Sequence, residues 1–358
     1  MEIKNLSLEN FRNFEKAEFE FAPGMTLILG PNTTGKTTIL EAISLLSTTN
    51  SFRAMVVAQM IKYDQEIARI SGVISNKKIE SQKAQKRTEN TELEVVLTPG
   101  EVNRQKAPKR KFSINGVTKR RNNFIGQLLT VIFRPEDIKI ITGSPAKRRE
   151  FLDNVLVQIN WEYGRSLGTY QKVLKSRNKI LEGIRNGVSK KSDLYFWNKS
   201  LTKNGEIVFR ARSEFIDFVN QLWPAGLRLS YQQSRFLFEK NIEKEIILGM
   251  TLTGPHRDEF IVEKQKRDLS LFGSRSEQRL AVLNLKLAEL EFIQKNLSAG
   301  RQGEQPVLLL DDVFSELDEE FREKVLGIIN RQQTIMTTAE PELIKKEFLD
   351  EMKVINLS

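Results

Sequence analysis

GPNTTGKT, residues 30–37, decides the fold of this 358-residue chain because it matches the phosphate-binding pattern G-x-x-x-x-G-K-[ST]. The apolar run TLIL before it predicts a buried strand, and TILEAISLL after it places Ile39, Ile43 and Leu46 on one helical face. A strand, a glycine turn and a helix N-terminus together direct backbone N–H groups and the positive end of the helix dipole at one point. The sequence therefore predicts a nucleotide-binding loop, with a chance match in a glycine turn as the alternative.

Residue type predicts the roles within this site. Lys36 is expected to reach the β- and γ-phosphates, and Thr37 to bind Mg²⁺ through its hydroxyl. Far along the chain, the apolar run at 307–310 ends in Asp311 and Asp312. A carboxylate at the carboxyl end of a parallel strand beside such a loop holds the metal, so Asp311 is the predicted Mg²⁺ partner. Asp312 is the candidate to orient or deprotonate water, and with Lys36 it forms the candidate catalytic pair. The residues predicted to bind ATP are Gly30, Pro31, Asn32, Thr33, Thr34, Gly35, Lys36, Thr37 and Thr38.

The two halves of this site lie far apart in the sequence, since Lys36 and Asp311 are separated by 275 positions. The chain between them must leave the nucleotide domain and return, which is the organisation of ATP-binding-cassette heads. The predicted fold is an α/β P-loop ATPase head of this type without a long coiled coil. Its nucleotide-binding lobe, with a mixed sheet and helices, would comprise residues 1–135 and 300–358. Residues 136–299 would form an inserted, mostly helical lobe, because their apolar residues recur at helical spacing. The aromatic residues in these helical patterns are expected in the core; they are Trp161, Phe196, Trp197 and Trp223.

A third motif lies in the stretch LFGSRSEQRLAVLNLKLAELE, residues 271–291, which carries S-x-x-E-x-R ahead of an apolar helical stripe. A serine-led turn at a helix N-terminus is an anion site, and in cassette ATPases it binds the γ-phosphate held by the opposite subunit. An amphipathic helix with Ser274 or Ser276 as its N-cap is the alternative. The position of the turn, about 35 residues before the carboxylate strand, favours the signature-turn interpretation. The predicted signature residues are Ser274, Arg275, Ser276, Glu277 and Arg279.

Further segments make the sequence resemble the RecF family, bacterial recombination mediators related to the chromosome-maintenance cassette ATPases. They are LENFRNF (8–14), SFR (51–53), ING (114–116), VIFRPEDIKIITGSPAKRREFLD (131–153) and TGPHRDE (253–259), besides the three motifs above. The resemblance runs through most of the chain. It implies that ATP and Mg²⁺ close a homodimer in which Ser274 of one subunit completes the ATP site of the other. It also implies weak, DNA-stimulated ATP hydrolysis that releases the dimer.

The same resemblance implies a wider role. Members of this family are expected to bind double-stranded and gapped or junction DNA and to work with RecO and RecR. The resemblance further implies that they help to load RecA onto single-stranded DNA during gap repair, replication-fork maintenance and SOS induction. Two alternatives from other classes stay open, an ATP-gated DNA-binding module with negligible turnover and another ATPase of the cassette or chromosome-maintenance type.

Three departures from the family pattern bear on turnover. Thr33 stands where the family often has glycine or another small or polar residue, which is tolerable only if its backbone does not need positive φ. Ser276 stands where glycine is usual, which affects how closely the backbone can approach a γ-phosphate. No histidine follows the predicted strand at 332–338, so Thr337 or Thr338 is the candidate at the switch position.

Composition fits a cytoplasmic protein that binds nucleic acid. With 39% apolar and 28% charged residues, the chain has ample core but no apolar run near the roughly 18 residues of a membrane span. The absence of cysteine excludes disulfides and thiolate metal sites. The net charge is +10, and residues 75–121 alone carry thirteen Lys/Arg against five Asp/Glu. These basic residues are Lys77, Lys78, Lys83, Lys86, Arg87, Arg104, Lys106, Lys109, Arg110, Lys111, Lys119, Arg120 and Arg121.

The last basic residues flank KFSINGVTKRR, in which Asn115 and Gly116 predict a hairpin turn. We expect Lys109, Arg110, Lys111, Lys119, Arg120 and Arg121 to contact DNA phosphates, although a solvated lysine-rich surface is the alternative. Arg148 and Arg149 pose a separate question. They lie in the first turn of a predicted helix, where the dipole disfavours cations, so they should face DNA or the nearby Glu136 and Asp137. His256 in GPHRD is left without a role.

Overall fold

The computed structural model describes residues 1–79, 86–297, 301, 303–314, 322, 325–327, 329–344 and 346–357. The chain forms two compact units, Met1–Asp137 with Ile293–Ser358, and Ile138–Phe292. The second unit is thus inserted into the first; the sequence placed the two junctions at 135/136 and 299/300. Within the described ranges, no helix is both long enough and apolar enough to cross a membrane.

A parallel five-stranded sheet organises the first unit. Its strands, in spatial order, are β10 (Thr130–Phe133), β14 (Val307–Asp311), β15 (Thr334–Thr338), β3 (Met25–Leu29) and β16 (Lys353–Asn356). Every residue of β14 and β15 is buried, as expected for parallel strands covered on both faces. The register pairs Phe133 with Leu310, Asp311 with Thr337, and Thr338 with Leu29. The carboxyl ends of strands from both ends of the chain therefore meet at one edge.

A six-stranded antiparallel sheet completes this unit. Its spatial order is β2 (Phe14–Glu20), β1 (Glu2–Phe11), β4 (Ala68–Ile79), β5 (Lys86–Leu97), β8 (Arg110–Ile114) and β9 (Val117–Lys119). A small ribbon pairs β6 (Glu101–Val102) with β7 (Gln105–Lys106). Helix α1 (Lys36–Thr48) shares one hydrophobic core with both sheets. The predicted hairpin is confirmed, because β8 pairs with β9 and Asn115 and Gly116 both have positive φ.

The second unit is mostly helical. Its helices are α3 (Lys139–Thr142), α4 (Pro145–Ile159), α5 (Trp161–Arg185), α6 (Leu194–Leu222), α7 (Phe238–Leu248), α8 (Leu269–Phe272) and α9 (Arg275–Lys295), the last running past the unit boundary. A small sheet joins β11 (Leu227–Gln232), β12 (Glu259–Lys264) and β13 (Arg267–Asp268). In the first unit, α2 (Arg121–Phe124) and α10 (Lys346–Leu349) are single turns. Short 3₁₀ turns cover Val57–Met60, Pro135–Ile138, Lys191–Asp193, Pro255–Arg257 and Pro341–Leu343.

Two buried arginines tie the helices of this second unit together. Arg177 on α5 pairs with Glu245 on α7 at 2.6 Å, and both side chains are fully buried. Arg212 on α6 pairs with Asp153 at 2.7 Å and with Asp258 at 3.1 Å. A buried charge is tolerated only when it is paired in this way, so removing one partner would be strongly destabilising.

The expectation that all four aromatic residues lie in the core was partly wrong. Trp223 is buried, and Trp197 is partly buried against a small cluster around Tyr170. Trp161 and Phe196, however, are 54% and 68% exposed. Both lie in the first turn of a long helix, where the chain enters from the surface.

Candidate functional site

The phosphate-loop motif connects β3 to α1 and is supported from the N-terminal strands. Gly35 caps α1 with φ 106°, and a Cβ at this position would approach the Phe14 ring to 2.7 Å. Asn13 donates its side-chain N–H to the Thr34 carbonyl at 3.3 Å. The first turn of α1 contains no acidic residue, so its N-terminal charge is left for an anion. LENFRNF therefore shapes the loop that follows it in space.

Lys36 is folded over this loop. Its ammonium donates to the carbonyls of Gly30 at 2.6 Å and Pro31 at 2.8 Å. The side chain is largely buried, and these two carbonyl oxygens compensate the ammonium group for the water contacts that it loses. A polyphosphate arriving at the loop could take over the same donors.

Thr33 adopts a backbone conformation with positive φ, which a threonine tolerates poorly. Its φ is 77°, in the left-handed region that favours glycine. The condition stated for tolerance, a backbone without positive φ, is therefore not met. The hydroxyl donates to the neighbouring Asn32 carbonyl, and the residue is exposed.

The predicted metal ligands lie together. Thr37 and Thr337 each donate a hydroxyl hydrogen bond of 2.9 Å to the same carboxylate oxygen of Asp311, Oδ1. Burial raises the pKa of Asp311, and these two hydrogen bonds oppose the shift. Over the described residues, no group of three or more His, Cys, Asp or Glu side chains could hold a metal ion alone. A hydroxyl and a carboxylate are nevertheless the hard oxygen ligands that Mg²⁺ accepts alongside phosphate and water.

Thr337 also positions the second carboxylate residue. The Asp312 N–H donates to both the carbonyl and the hydroxyl oxygen of Thr337, each at 3.1 Å. Asp312 has a φ of 50°, so its backbone is strained at the end of β14. Thr338, the other candidate for the switch position, donates instead to the Glu340 carbonyl at 3.4 Å.

One buried carboxylate near the loop is missing from the sequence predictions. Glu41 on α1 has a fully buried side chain and pairs with Arg12 at 2.6 Å and Arg53 at 3.8 Å. Ser51 donates to the same carboxylate. LENFRNF and SFR thus meet at one residue. A single glutamate within the apolar run TILEAISLL was the available signal, since a buried carboxylate requires cationic or hydrogen-bonding partners.

The predicted signature turn lies in the second unit and begins α9. Ser274 precedes the helix, and its hydroxyl accepts a 3.3 Å hydrogen bond from the Glu277 N–H. Glu277 in turn accepts from the Ser274 N–H at 2.9 Å, which completes a capping box. Of the two N-caps considered, Ser274 is the one observed. Arg275 and Ser276 occupy the first turn, and Arg279 follows in the second.

The basic residues around the hairpin divide into two groups. Arg110 donates to the Thr49 carbonyl at 2.9 Å, and Arg121 donates to the Thr49 hydroxyl at 2.6 Å and the Thr48 carbonyl at 3.4 Å. These two arginines therefore cap the C-terminus of α1. The exposed group comprises Arg104, Lys106, Lys109, Lys111, Lys119 and Arg120. Lys83 and the side chains of Lys77, Lys78, Lys86 and Arg87 lie outside the described part of the chain.

Arg148 and Arg149 find partners that the sequence did not suggest. Arg148 forms a two-point ion pair with Glu259, at 2.5 and 3.0 Å. Its remaining nitrogen, Nη1, donates to the carbonyls of Ile140, Ile141 and Gly143. Arg149 donates to the Asp258 carbonyl at 2.8 Å. Asp137, one of the two nearby carboxylates suggested by the sequence, pairs with Arg134 at 2.6 Å.

Both ring nitrogens of His256 form hydrogen bonds within the protein. Its Nε2 lies 3.0 Å from the Thr251 carbonyl, which can only accept, so Nε2 carries the proton. Nδ1 then accepts from the Tyr170 hydroxyl at 2.6 Å. Burial lowers the pKa of His256 to about 4, so the ring is neutral at physiological pH.

Comparisons with known proteins agree with this architecture. The family model described as the RecF/RecN/SMC N terminal domain matches residues 2–356. The "DNA replication and repair protein RecF" of Herpetosiphon aurantiacus is 34% identical over 389 residues, covering 98% of this chain and 97% of that protein. The protein of the same name from Bacillus cereus is 31% identical over 388 residues, covering 100% and 97%.

Solved structures give the same result. The recombination mediator protein RecF–ATPrS in the RecFOR pathway matches with a TM-score of 0.83 at 28% identity, covering 96% of this chain and 94% of that one. The corresponding RecF–ATP structure gives 0.82 at 28% identity, covering 94% and 91%. An SmcHead bound to the C-winged helix domain of ScpA, at 14% identity and a TM-score of 0.50, covers 99% and 93% and shares the fold alone. The predicted α/β head fold is confirmed.

Proposed function

The chain belongs to the RecF family of DNA replication and repair proteins, and from that premise we propose that it is an ATP-dependent DNA-binding protein of recombinational repair. The observation that carries the proposal is the meeting of Thr37, Asp311 and Thr337 beside the phosphate loop. A nucleotide site requires a metal-binding carboxylate beside the phosphate loop, and folding brings these two parts together from opposite ends of the sequence.

The nucleotide-site residues Lys36, Thr37, Asp311, Asp312 and Thr337 each have a proposed role in binding or hydrolysing ATP. Lys36 exchanges its two carbonyl contacts for oxygens of the β- and γ-phosphates, while the N–H groups at the start of α1 bind the same anion. Thr37 and Asp311 would hold Mg²⁺, which would stabilise negative charge on the phosphates. Asp312 orients or deprotonates the attacking water, and Thr337 fixes the Asp312 backbone.

The signature turn is proposed to act on a second copy of the chain. Ser274 and the N-terminus of α9 bind the γ-phosphate of ATP held by the partner, so two nucleotides close a homodimer. Hydrolysis removes the shared phosphate and opens the dimer. We expect weak, DNA-stimulated turnover, because Thr33 and Ser276 depart from the family pattern and Thr33 has positive φ. These same features favour the second candidate, an ATP-gated DNA-binding module with negligible turnover.

DNA is the proposed substrate of the closed dimer. The exposed residues Lys109, Lys111, Lys119 and Arg120 are proposed to contact phosphates of double-stranded and gapped or junction DNA. Arg110, Arg121, Arg148 and Arg149 already bind within the protein and should contribute less. Phosphate contacts are insensitive to sequence, so DNA geometry should matter more than base identity.

The wider role follows from the family. A matched structure is described as a mediator in the RecFOR pathway, which supports RecO and RecR as partners. We propose that the chain helps to load RecA onto single-stranded DNA during gap repair, replication-fork maintenance and SOS induction. This work takes place on the chromosome and therefore in the bacterial cytoplasm.

Sedimentation velocity tests the proposal directly. The native chain and Lys36→Ala are compared with and without Mg·ATP and a gapped duplex, and phosphate release is measured in parallel. We expect ATP to dimerise the native chain and to make its DNA binding salt-sensitive, with neither effect in Lys36→Ala. A native chain that stays monomeric with ATP would overturn the proposed function. Dimerisation without phosphate release would select the non-hydrolysing alternative.

A further inference from the structure

The signature turn already holds an anion, which is the carboxylate of its own Glu277. Glu277 Oε2 accepts hydrogen bonds from the Ser274 N–H at 2.9 Å and from the Ser274 hydroxyl at 3.1 Å. These are the kinds of donor that a serine-led turn offers to a phosphate oxygen. A γ-phosphate and the Glu277 carboxylate would therefore compete for one serine.

Lys264 holds the other oxygen of this carboxylate. Its ammonium lies 2.7 Å from Glu277 Oε1, at the end of β12. Hydrogen bonds from Lys264 and Ser274 lower the pKa of Glu277 to about 2, so the carboxylate keeps its charge at physiological pH. One oxygen of the Glu277 carboxylate is thus bound by Ser274 of the turn, and the other is bound by Lys264, which lies outside the turn.

The surroundings offer the side chain a second position. A cavity of about 120 Å³ adjoins Lys264 and Glu277; most of its lining is apolar, including Leu269 and Leu280, and its other polar side chains are Gln265 and Asn284. A carboxylate leaving Ser274 could enter this space while keeping its ion pair with Lys264. The turn can therefore be opened without leaving a charge unpaired.

We propose that Glu277 is a built-in competitor of the γ-phosphate: it closes the signature turn in the separate protomer, and it leaves Ser274 but keeps its ion pair with Lys264 when the partner's ATP arrives. This inference rests on the proposed function, in which Ser274 binds that phosphate. Glu277 would then weaken ATP-driven dimerisation and set the ATP level at which the dimer forms.

Glu277→Gln tests the competition without removing the cap. Glutamine also completes a capping box, so the helix start is kept while the negative charge is lost. We expect the dissociation constant of the Mg·ATP-dependent dimer, measured by sedimentation velocity, to be about fivefold lower for Glu277→Gln. The expected effect is small because solvent screens the charge of a partly exposed carboxylate. Glu214→Gln, an exposed residue on α6, makes the same change in net charge and should leave the dimer unchanged. Unchanged or weaker dimerisation in Glu277→Gln would show that the residue is only a helix cap.

A phosphate titration tests the competition without a dimer. In a Lys36→Ala background, which disables the loop, binding of inorganic phosphate is followed by phosphorus NMR with and without Glu277→Gln. We expect about fivefold tighter phosphate binding when the carboxylate is gone. Equal binding would overturn the inference even if the native chain dimerises with ATP. If the native chain does not dimerise, the proposed function fails, while this titration still decides whether Glu277 blocks the turn.

Discussion

Two residues of the nucleotide site have left-handed backbone conformations. Thr33 and Asp312 have φ values of 77° and 50°, although neither is glycine. A left-handed conformation costs an ordinary residue about 1–2 kcal/mol, whereas Asp tolerates it better. It also occurs away from the nucleotide site, for example at Asp64 and Lys266. At Thr33 the exposed side chain does little to offset this cost, since its hydroxyl bonds to the adjacent carbonyl.

Replacing Thr33 by glycine should therefore stabilise the first unit. We expect Thr33→Gly to raise its free energy of unfolding by about 1 kcal/mol, because glycine adopts this φ without a steric penalty. The three tryptophans at 161, 197 and 223 all lie in the second unit, so their fluorescence is a poor probe. Hydrogen exchange of the α1 amides is the suitable measurement, and globally protected amides should exchange about fivefold more slowly.

Thr34→Gly is the matched control for this prediction. Thr34 does not have positive φ, and its hydroxyl donates to the Pro31 carbonyl at 3.0 Å. Glycine there adds freedom to the unfolded chain and removes a hydrogen bond, so exchange of α1 should become faster. Equal effects of the two substitutions would mean that the backbone strain at Thr33 is not significant.

Residues that follow a linear motif could be predicted, whereas those that depend on a distant partner could not. GPNTTGKT can be recognised from eight neighbouring positions. An apolar run that ends in a carboxylate can also be recognised from neighbouring residues alone. Glu41 is different, because its partners Arg12 and Arg53 are fixed by chain folding rather than by spacing. The same limit explains Arg148, whose partner Glu259 is 111 positions away.

At the scale of elements, basic residues that suggested DNA contacts also stabilise helix ends. Arg110 and Arg121 reach the last carbonyls of α1, and Arg148 reaches those of α3. Cations are favourable at helix C-termini because of the helix dipole and the unpaired carbonyls there. Charge density along a sequence does not distinguish this role from phosphate binding. The side-chain contacts do.

The turn that contains His256 should make the second unit sensitive to acid. The ring is neutral in the folded protein because burial lowers its pKa from 6.5 to about 4. The unfolded chain takes up a proton below pH 6.5, so unfolding is favoured as the pH falls from 6.5 to 4, with no contribution above this range. We expect a loss of about 3 kcal/mol over that interval, at 1.36 kcal/mol per pKa unit.

His256→Gln tests this acid sensitivity because glutamine can still donate to the Thr251 carbonyl but does not titrate. Its stability at pH 7 should be lower, since the hydrogen bond from Tyr170 is lost. Between pH 6.5 and 4.5, however, its stability should fall less steeply than that of the native chain, as measured by guanidinium unfolding followed through tryptophan fluorescence. Parallel pH profiles would show that His256 is not the titrating group.

Across the whole molecule, positive charge is concentrated in one part of the sequence. Residues 75–121 carry a local excess of +8, whereas residues 301–358 carry seven Lys/Arg against thirteen Asp/Glu, an excess of −6. Such asymmetry is typical of proteins that bind DNA through its phosphates. Within the described chain, the hairpin of β8 and β9 presents exposed members of this basic group.

Neutralising the exposed basic residues of this hairpin should weaken DNA binding and its dependence on salt together. Changing Lys109, Lys111, Lys119 and Arg120 to glutamine should lower the slope of log K against log salt by about 0.9 for each DNA phosphate that the variant no longer neutralises. Fluorescence anisotropy with a gapped duplex and Mg·ATP, from low to moderate salt, gives this slope. The matched control changes Lys199, Lys203, Lys240 and Lys244, exposed residues of the second unit, and should leave the slope unchanged. If both quadruple variants lowered it equally, DNA binding would follow net charge, and the hairpin would not be the DNA-binding surface.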